Sequence, residues 1–224
     1  IWALIPLYNT FNFLSCPIES LTKEGESLGI RQLFKIPIFW ISLVLMVCAG
    51  ASEISMAQWA SAYVESALGI SKSFGDIAGP CLFAVMMGIS RSFYGKYGEK
   101  LNLIKFMIGS GALCLICYLL SALAPLPLLN LVGCIVCGFS VGIMWPGTIS
   151  ITSRKIPFGG TAMFALLAMA GDLGGSIGPG VIGFVTQNAN DNLKAGMMAG
   201  CIFPIILILS VFLLQRKKTV PKNF

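Results

Sequence analysis

The stretch Gly159–Phe184, GGTAMFALLAMAGDLGGSIGPGVIGF, is apolar along its whole length except for one carboxylate, Asp172. A hydrocarbon core of ~30 Å takes about 20 apolar residues in a helix, so this stretch reads as a membrane span. Counting ~1.5 Å per residue from Gly160, Asp172 lies ~18 Å in, close to the midplane, where an ionisable group costs at least a few kcal/mol. A charge placed there is a functional candidate by default.

The rest of the chain has a matching composition. Of 224 residues, 56% are hydrophobic and 11% charged, with a mean hydropathy of +0.86, which places the chain in the membrane class. The net charge of +6 sits in short clusters between apolar runs, as topology determinants do, and no nucleic-acid partner is expected. The sequence opens without an initiator Met or a signal-peptide pattern, so Ile1 reads as an internal start and a fragment of a longer protein is expected. Cys114-x2-Cys117 and Cys134-x2-Cys137 have the spacing of a zinc ribbon. Both pairs lie inside apolar runs without polar flanks, so they read as small membrane cysteines, and neither metal nor cofactor is expected.

In chain order, residues 1–18 read as the tail of a preceding transmembrane helix, and residues 19–36 as a polar cytoplasmic connector. Residues 37–214 then form a six-helix transmembrane domain, followed by a basic cytoplasmic tail, 215–224. Its spans are A (37 to about 63), B (74–94), C (101–124), D (128–151), E (the opening stretch) and F (193–214). Nearly all Lys and Arg fall in alternate loops, so both ends of the unit are expected to be cytoplasmic, with A, C and E running outward. GDIAGP at Gly75–Pro80 and GDLGGSIGP at Gly171–Pro179 recur in B and E. Their positions suggest a 3+3 inverted repeat of A-B-C on D-E-F in an all-α membrane fold.

These features resemble the C-terminal half of a major facilitator superfamily transporter: two triplets of spans, the basic entry FKIPIFW, and Gly-rich spans D and E with Trp145-Pro146-Gly147. Gly88, Gly95 and Lys96 match a degraded copy of that family's G-x-x-x-D-[RK]-x-G-[RK] loop motif, with Ser92 and Phe93 in the acidic and basic places. Glu53-x4-Gln58-Trp59 is similar to sugar-transporting branches such as the fucose permease group. The resemblance implies that A and D line a central cavity, while B and E pack against an N-terminal six-helix half and the third helices face lipid. On that reading the glycines of B and E, including Gly79, Gly174, Gly175 and Gly178, serve close approach to the other half. Pro80 and Pro179 would loosen each helix locally.

Single residues carry the functional expectations. Asp172 is either a proton carrier or substrate ligand, or a carboxylate that locks the interface with the other half; the sequence has no histidine to share a relay. Glu53, ~24 Å from Pro37, is a candidate for substrate binding and proton coupling. Gln58 and Trp59 are candidates for a polyhydroxylated ligand, although Gln58 is rotated ~140° from Glu53 and Trp59 also suits an interfacial anchor. Asp76 reads as a helix cap, and Arg91 as a snorkelling cation or part of an inner gate. Trp145 reads as a cytoplasmic-interface anchor or a cavity wall.

The function expected is secondary active transport of a small polar solute, a sugar or similar metabolite, across the plasma membrane by alternating access, with a proton as coupling ion. An exporter of hydrophobic compounds is the alternative within the same superfamily; a receptor or a membrane-embedded enzyme is the alternative outside it. No catalytic set appears, so an enzyme is not expected.

Overall fold

The computed structural model describes residues 8, 27–68, 74–75, 77–98 and 100–220. Apart from Tyr8, the expected helix tail over 1–18 lies outside them, as do Asp76 and the connector up to residue 26. The helices are α1 (Ile30–Leu33), α2 (Pro37–Leu68), a π-helical turn (Ile77–Cys81) running into α3 (Leu82–Tyr97), and α4 (Leu103–Leu123). After them come α5 (Pro127–Val141), α6 (Met144–Lys155), α7 (Gly160–Asn188), α8 (Leu193–Gly200) and α9 (Ile202–Arg216). Among the described residues, five segments are long and apolar enough to cross a membrane: Pro37–Ser61, Leu103–Leu123, Leu128–Lys155, Gly160–Asn188 and Leu193–Arg216. They correspond to spans A, C, D, E and F. Span B differs from the expectation of six alike: Pro80 has no N–H to donate, and its turn is π-helical before α3 begins.

Local chemistry explains the element ends. Pro127 opens α5, where a missing N–H costs nothing. Asn102 and Asn192 cap α4 and α8, their side-chain oxygens accepting from Lys105 N and Lys194 N. The turn before α8 puts Asn190 and Asp191 at φ 56° and 57°, a left-handed conformation that these two residue types tolerate best after glycine. Span D breaks between α5 and α6 at Gly142-Ile143, a few residues before Trp145-Pro146-Gly147.

Packing corrects one expectation. The most extensive helix pair is α2 with α7, and it is closed by glycines. A Cβ on Gly174 would sit 2.0 Å from Val47 O, one on Gly50 2.1 Å from Gly171 O, and one on Gly178 2.7 Å from Ala51 O. Gly175 faces Ile54, and Gly79 faces Ala60 at 3.2 Å. The glycines of B and E therefore grip span A of this same bundle; they are not kept for another half. Span D meets span B in the same manner, since a Cβ on Gly138 would be 2.2 Å from Phe83 O and one on Gly142 2.9 Å from Met87 O. Pro179 is buried in α7, which continues through it unbroken.

Tyr118 of α4 lies in the core, fully buried, and its hydroxyl donates to Ser52 O of α2 at 2.9 Å. Tyr118→Phe keeps the ring and removes the bond. We expect a loss of about 1 kcal/mol, read as a small fall in the thermal midpoint of the purified protein in detergent, with the fold retained. The four ribbon-spaced cysteines are buried in the same core, where Cys114 Sγ and Cys137 Sγ approach to 3.8 Å and Ser121 Oγ lies 3.7 Å from Cys134 Sγ.

Candidate functional site

Pro146 stands four residues after Gly142, so it cannot supply the helical donor that the Gly142 carbonyl would otherwise accept. That carbonyl is instead taken by Arg91 of α3, whose Nε lies 3.4 Å away. The same guanidinium reaches α2, with Nη2 3.6 Å from Glu53 Oε1. Spans A, B and D are thus tied at one point. Glu53 lies ~24 Å from Pro37 along α2 and Gly142 ~20 Å from Lys155 along α6 and α5, so the tie falls near the middle of both long helical segments.

The two charges differ in exposure. The Glu53 side chain is 13% exposed and that of Arg91 50%. Glu53 Oε2 is buried without a hydrogen-bond partner among the described residues, as are Ser90 Oγ and Trp145 Nε1. A carboxylate with one oxygen unpaired in a low-dielectric site depends on its cation to stay charged.

Several expected site residues stand elsewhere. Arg91 does not snorkel to the membrane surface; helical side chains lean toward the helix N-terminus, and here that direction leads to Glu53 and Gly142. Trp145 is no interfacial anchor either. Its ring packs against Gly171, where a Cβ would be 2.5 Å from Cη2, well inside the bundle. Trp59 donates Nε1 to Pro179 O at 3.3 Å, which fastens α2 to α7. Gln58 is exposed on the unbroken α2, and no contact joins it to Glu53.

Asp172 is also placed differently from its sequence reading. This chain does not bury it: it lies on an exposed face of α7 with Met169, Leu173 and Ile177. No described residue pairs with its carboxylate, and its backbone carbonyl accepts from Ser176 Oγ at 3.2 Å. Sequence reasoning missed the Gly142 carbonyl and the central position of Trp145. The proline four residues after Gly142 was the available signal for the first.

The family model described as Major Facilitator Superfamily matches residues 13–179, which take in spans A to D and most of E. The chain belongs to the Major Facilitator Superfamily. It is a multi-pass membrane protein of a transporter superfamily whose members move small solutes across the bilayer and are generally not enzymes. No curated protein and no solved structure matches it.

Proposed function

We propose that this Major Facilitator Superfamily chain is the C-terminal half of a secondary active transporter that carries a small polar solute, with a sugar-like metabolite as the leading class, by proton-coupled alternating access. The observation that carries the reading is the tie of Arg91 to Glu53 and to the Gly142 carbonyl. Protonating Glu53 would free the guanidinium, release the break in span D, and let spans A, B and D shift together. Gln58 and the unpartnered indole N–H of Trp145 would offer hydrogen bonds to hydroxyls along the solute path, and the Trp59 ring, whose N–H is given to Pro179 O, an aromatic face for the C–H side of a ring.

Other observations support the same reading. An exposed carboxylate at membrane depth is not stable against lipid tails, so the α7 face that carries Asp172 is one that protein or water must cover. An N-terminal six-helix half would cover it. Two helix pairings follow an exchange of A with D, B with E and C with F: A packs on E as D packs on B, and A packs on F as D packs on C, although E packs on F far more closely than B on C. Such an exchange supports the 3+3 repeat. The connector and the tail both bind the D–E side of the bundle, through Leu28 N to Phe158 O at 2.8 Å and Val220 N to Lys155 O at 2.9 Å. With Arg31, Lys35, Arg154, Lys155, Arg216, Lys217 and Lys218 together, this end is our cytoplasmic face, in a plasma membrane.

The test is solute uptake by the full-length protein in liposomes under an imposed pH gradient, over a panel of sugars and small metabolites, with Glu53→Gln and Asp172→Asn. We expect Glu53→Gln to abolish the pH dependence while solute counterflow survives. Wild-type pH dependence in Glu53→Gln would sink the proton-coupling role of this residue. The exporter reading has one observation of its own, an apolar pocket of about 340 Å³ between α2 and α7, lined by Trp40, Val44, Val47, Met169 and Leu173 among others. Displacement of a hydrophobic dye with no sugar uptake would favour it.

A further inference from the structure

Where the first turn of α4 meets the last turn of α6 there is a second pocket, of about 320 Å³, at the basic end of the bundle. Its lining divides by chemistry. Arg154, Lys155, Asn102 and Thr219 supply donors, whereas Leu101, Leu103, Ile104 and Ile151 supply an apolar wall; among the described residues no carboxylate takes part. Lys155 is fixed in place by the tail, since its Nζ donates to Lys217 O and its carbonyl accepts from Val220 N. Arg154 is exposed, with neither hydrogen bond nor ion pair among the described residues, where the one ion pair is that of Arg91 with Glu53. The side-chain oxygen of Asn102 is engaged by Lys105 N, which leaves its amide hydrogens as donors.

We propose that this pocket binds a phosphate-bearing anion, with the phosphate held by Arg154 and Lys155 and any attached glycerol and acyl chain resting on the apolar wall. Two cations without a carboxylate partner among the described residues, set at the edge of the hydrocarbon layer, attract an anionic group. The positive end of α4 adds to the field. Arginine offers a forked donor that suits two phosphate oxygens, and lysine a second point charge. A site with cations at its rim and an apolar wall suits an amphiphile, so an anionic lipid headgroup is one source of the phosphate and the free ion the other. The site lies away from Glu53 and Arg91, and its occupancy does not depend on the solute.

Native mass spectrometry of the full-length protein with dioleoyl phosphatidylglycerol, and separately with dioleoyl phosphatidylcholine, tests the site. We expect retained phosphatidylglycerol adducts that fall about tenfold or more in the double variant Arg154→Gln/Lys155→Gln. Lys194→Gln, at the opposite end of the bundle, is expected to keep them. Thr219→Val, an exposed change in the tail, provides a folded variant with a smaller loss should the double variant misfold. Displacement of the adduct by excess inorganic phosphate supports the site and assigns it to the free ion; persistence supports it and assigns it to the lipid headgroup. Equal adducts in wild type and the double variant, equal retention of phosphatidylcholine, or an equal loss in Lys194→Gln would overturn the proposal.

Discussion

Gly174→Leu is expected to leave little folded protein in the membrane, and Gly174→Ala to lower stability by about 1–3 kcal/mol, the usual range for overpacking. The reason lies in what the added carbon meets. At Gly174 it would be 2.0 Å from the Val47 carbonyl oxygen, and backbone cannot swing aside as a side-chain tip can. Helices α2 and α7 would have to separate by more than 1 Å, roughly, and the loss would spread along their shared length because dispersion contacts weaken steeply with distance. Gly109 lies in α4 on an exposed position, with nothing within 4 Å of an added Cβ. Gly109→Ala is therefore expected to be neutral or slightly stabilising, since alanine is the better helix former. Thermal unfolding of the full-length protein in detergent compares the two. Equal midpoints for Gly174→Ala and Gly109→Ala would show that the α2–α7 approach is not what holds the bundle.

That contrast also shows how far the sequence could be read. Apolar length alone located α4 and α7 to within a few residues, because the bilayer fixes how long an apolar run must be. The glycines announced a close approach, but a glycine does not name its neighbour; nothing in GDLGGSIGP says whether Val47 or another half will lie against it. Arg91 failed for a related reason. Its long side chain can reach either the membrane surface or the bundle centre, and the choice was made by Glu53 on another span and by a carbonyl that Pro146 had released. Trp145 was misplaced because α6 continues to Lys155, which moves the cytoplasmic end of span D one turn further along the chain. Asp172 was singled out as a charge at membrane depth, and periodicity did not reveal that its face of α7 is one the described residues leave open.

Arg91→Gln is expected to stop coupled uptake and to destabilise the bundle, and the double variant Arg91→Gln/Glu53→Gln to recover most of the stability without the transport. Removing one member of a fully buried pair costs about 3–5 kcal/mol because a lone charge is left behind. With the Arg91 side chain 50% exposed, water screens part of this, and about 1–3 kcal/mol is the expected loss. Neutralising Glu53 as well removes the stranded charge, so the two changes should be strongly non-additive. Additive losses would mean that the ion pair is incidental and that Arg91 acts mainly through Gly142. Pro146→Ala separates that second contact, because it returns to Gly142 the helical donor that proline withholds. Span D should then be more stable and less dependent on Arg91, and if the break is the element that moves, uptake should slow while the thermal midpoint rises. A faster transporter with an unchanged midpoint would place the moving element elsewhere.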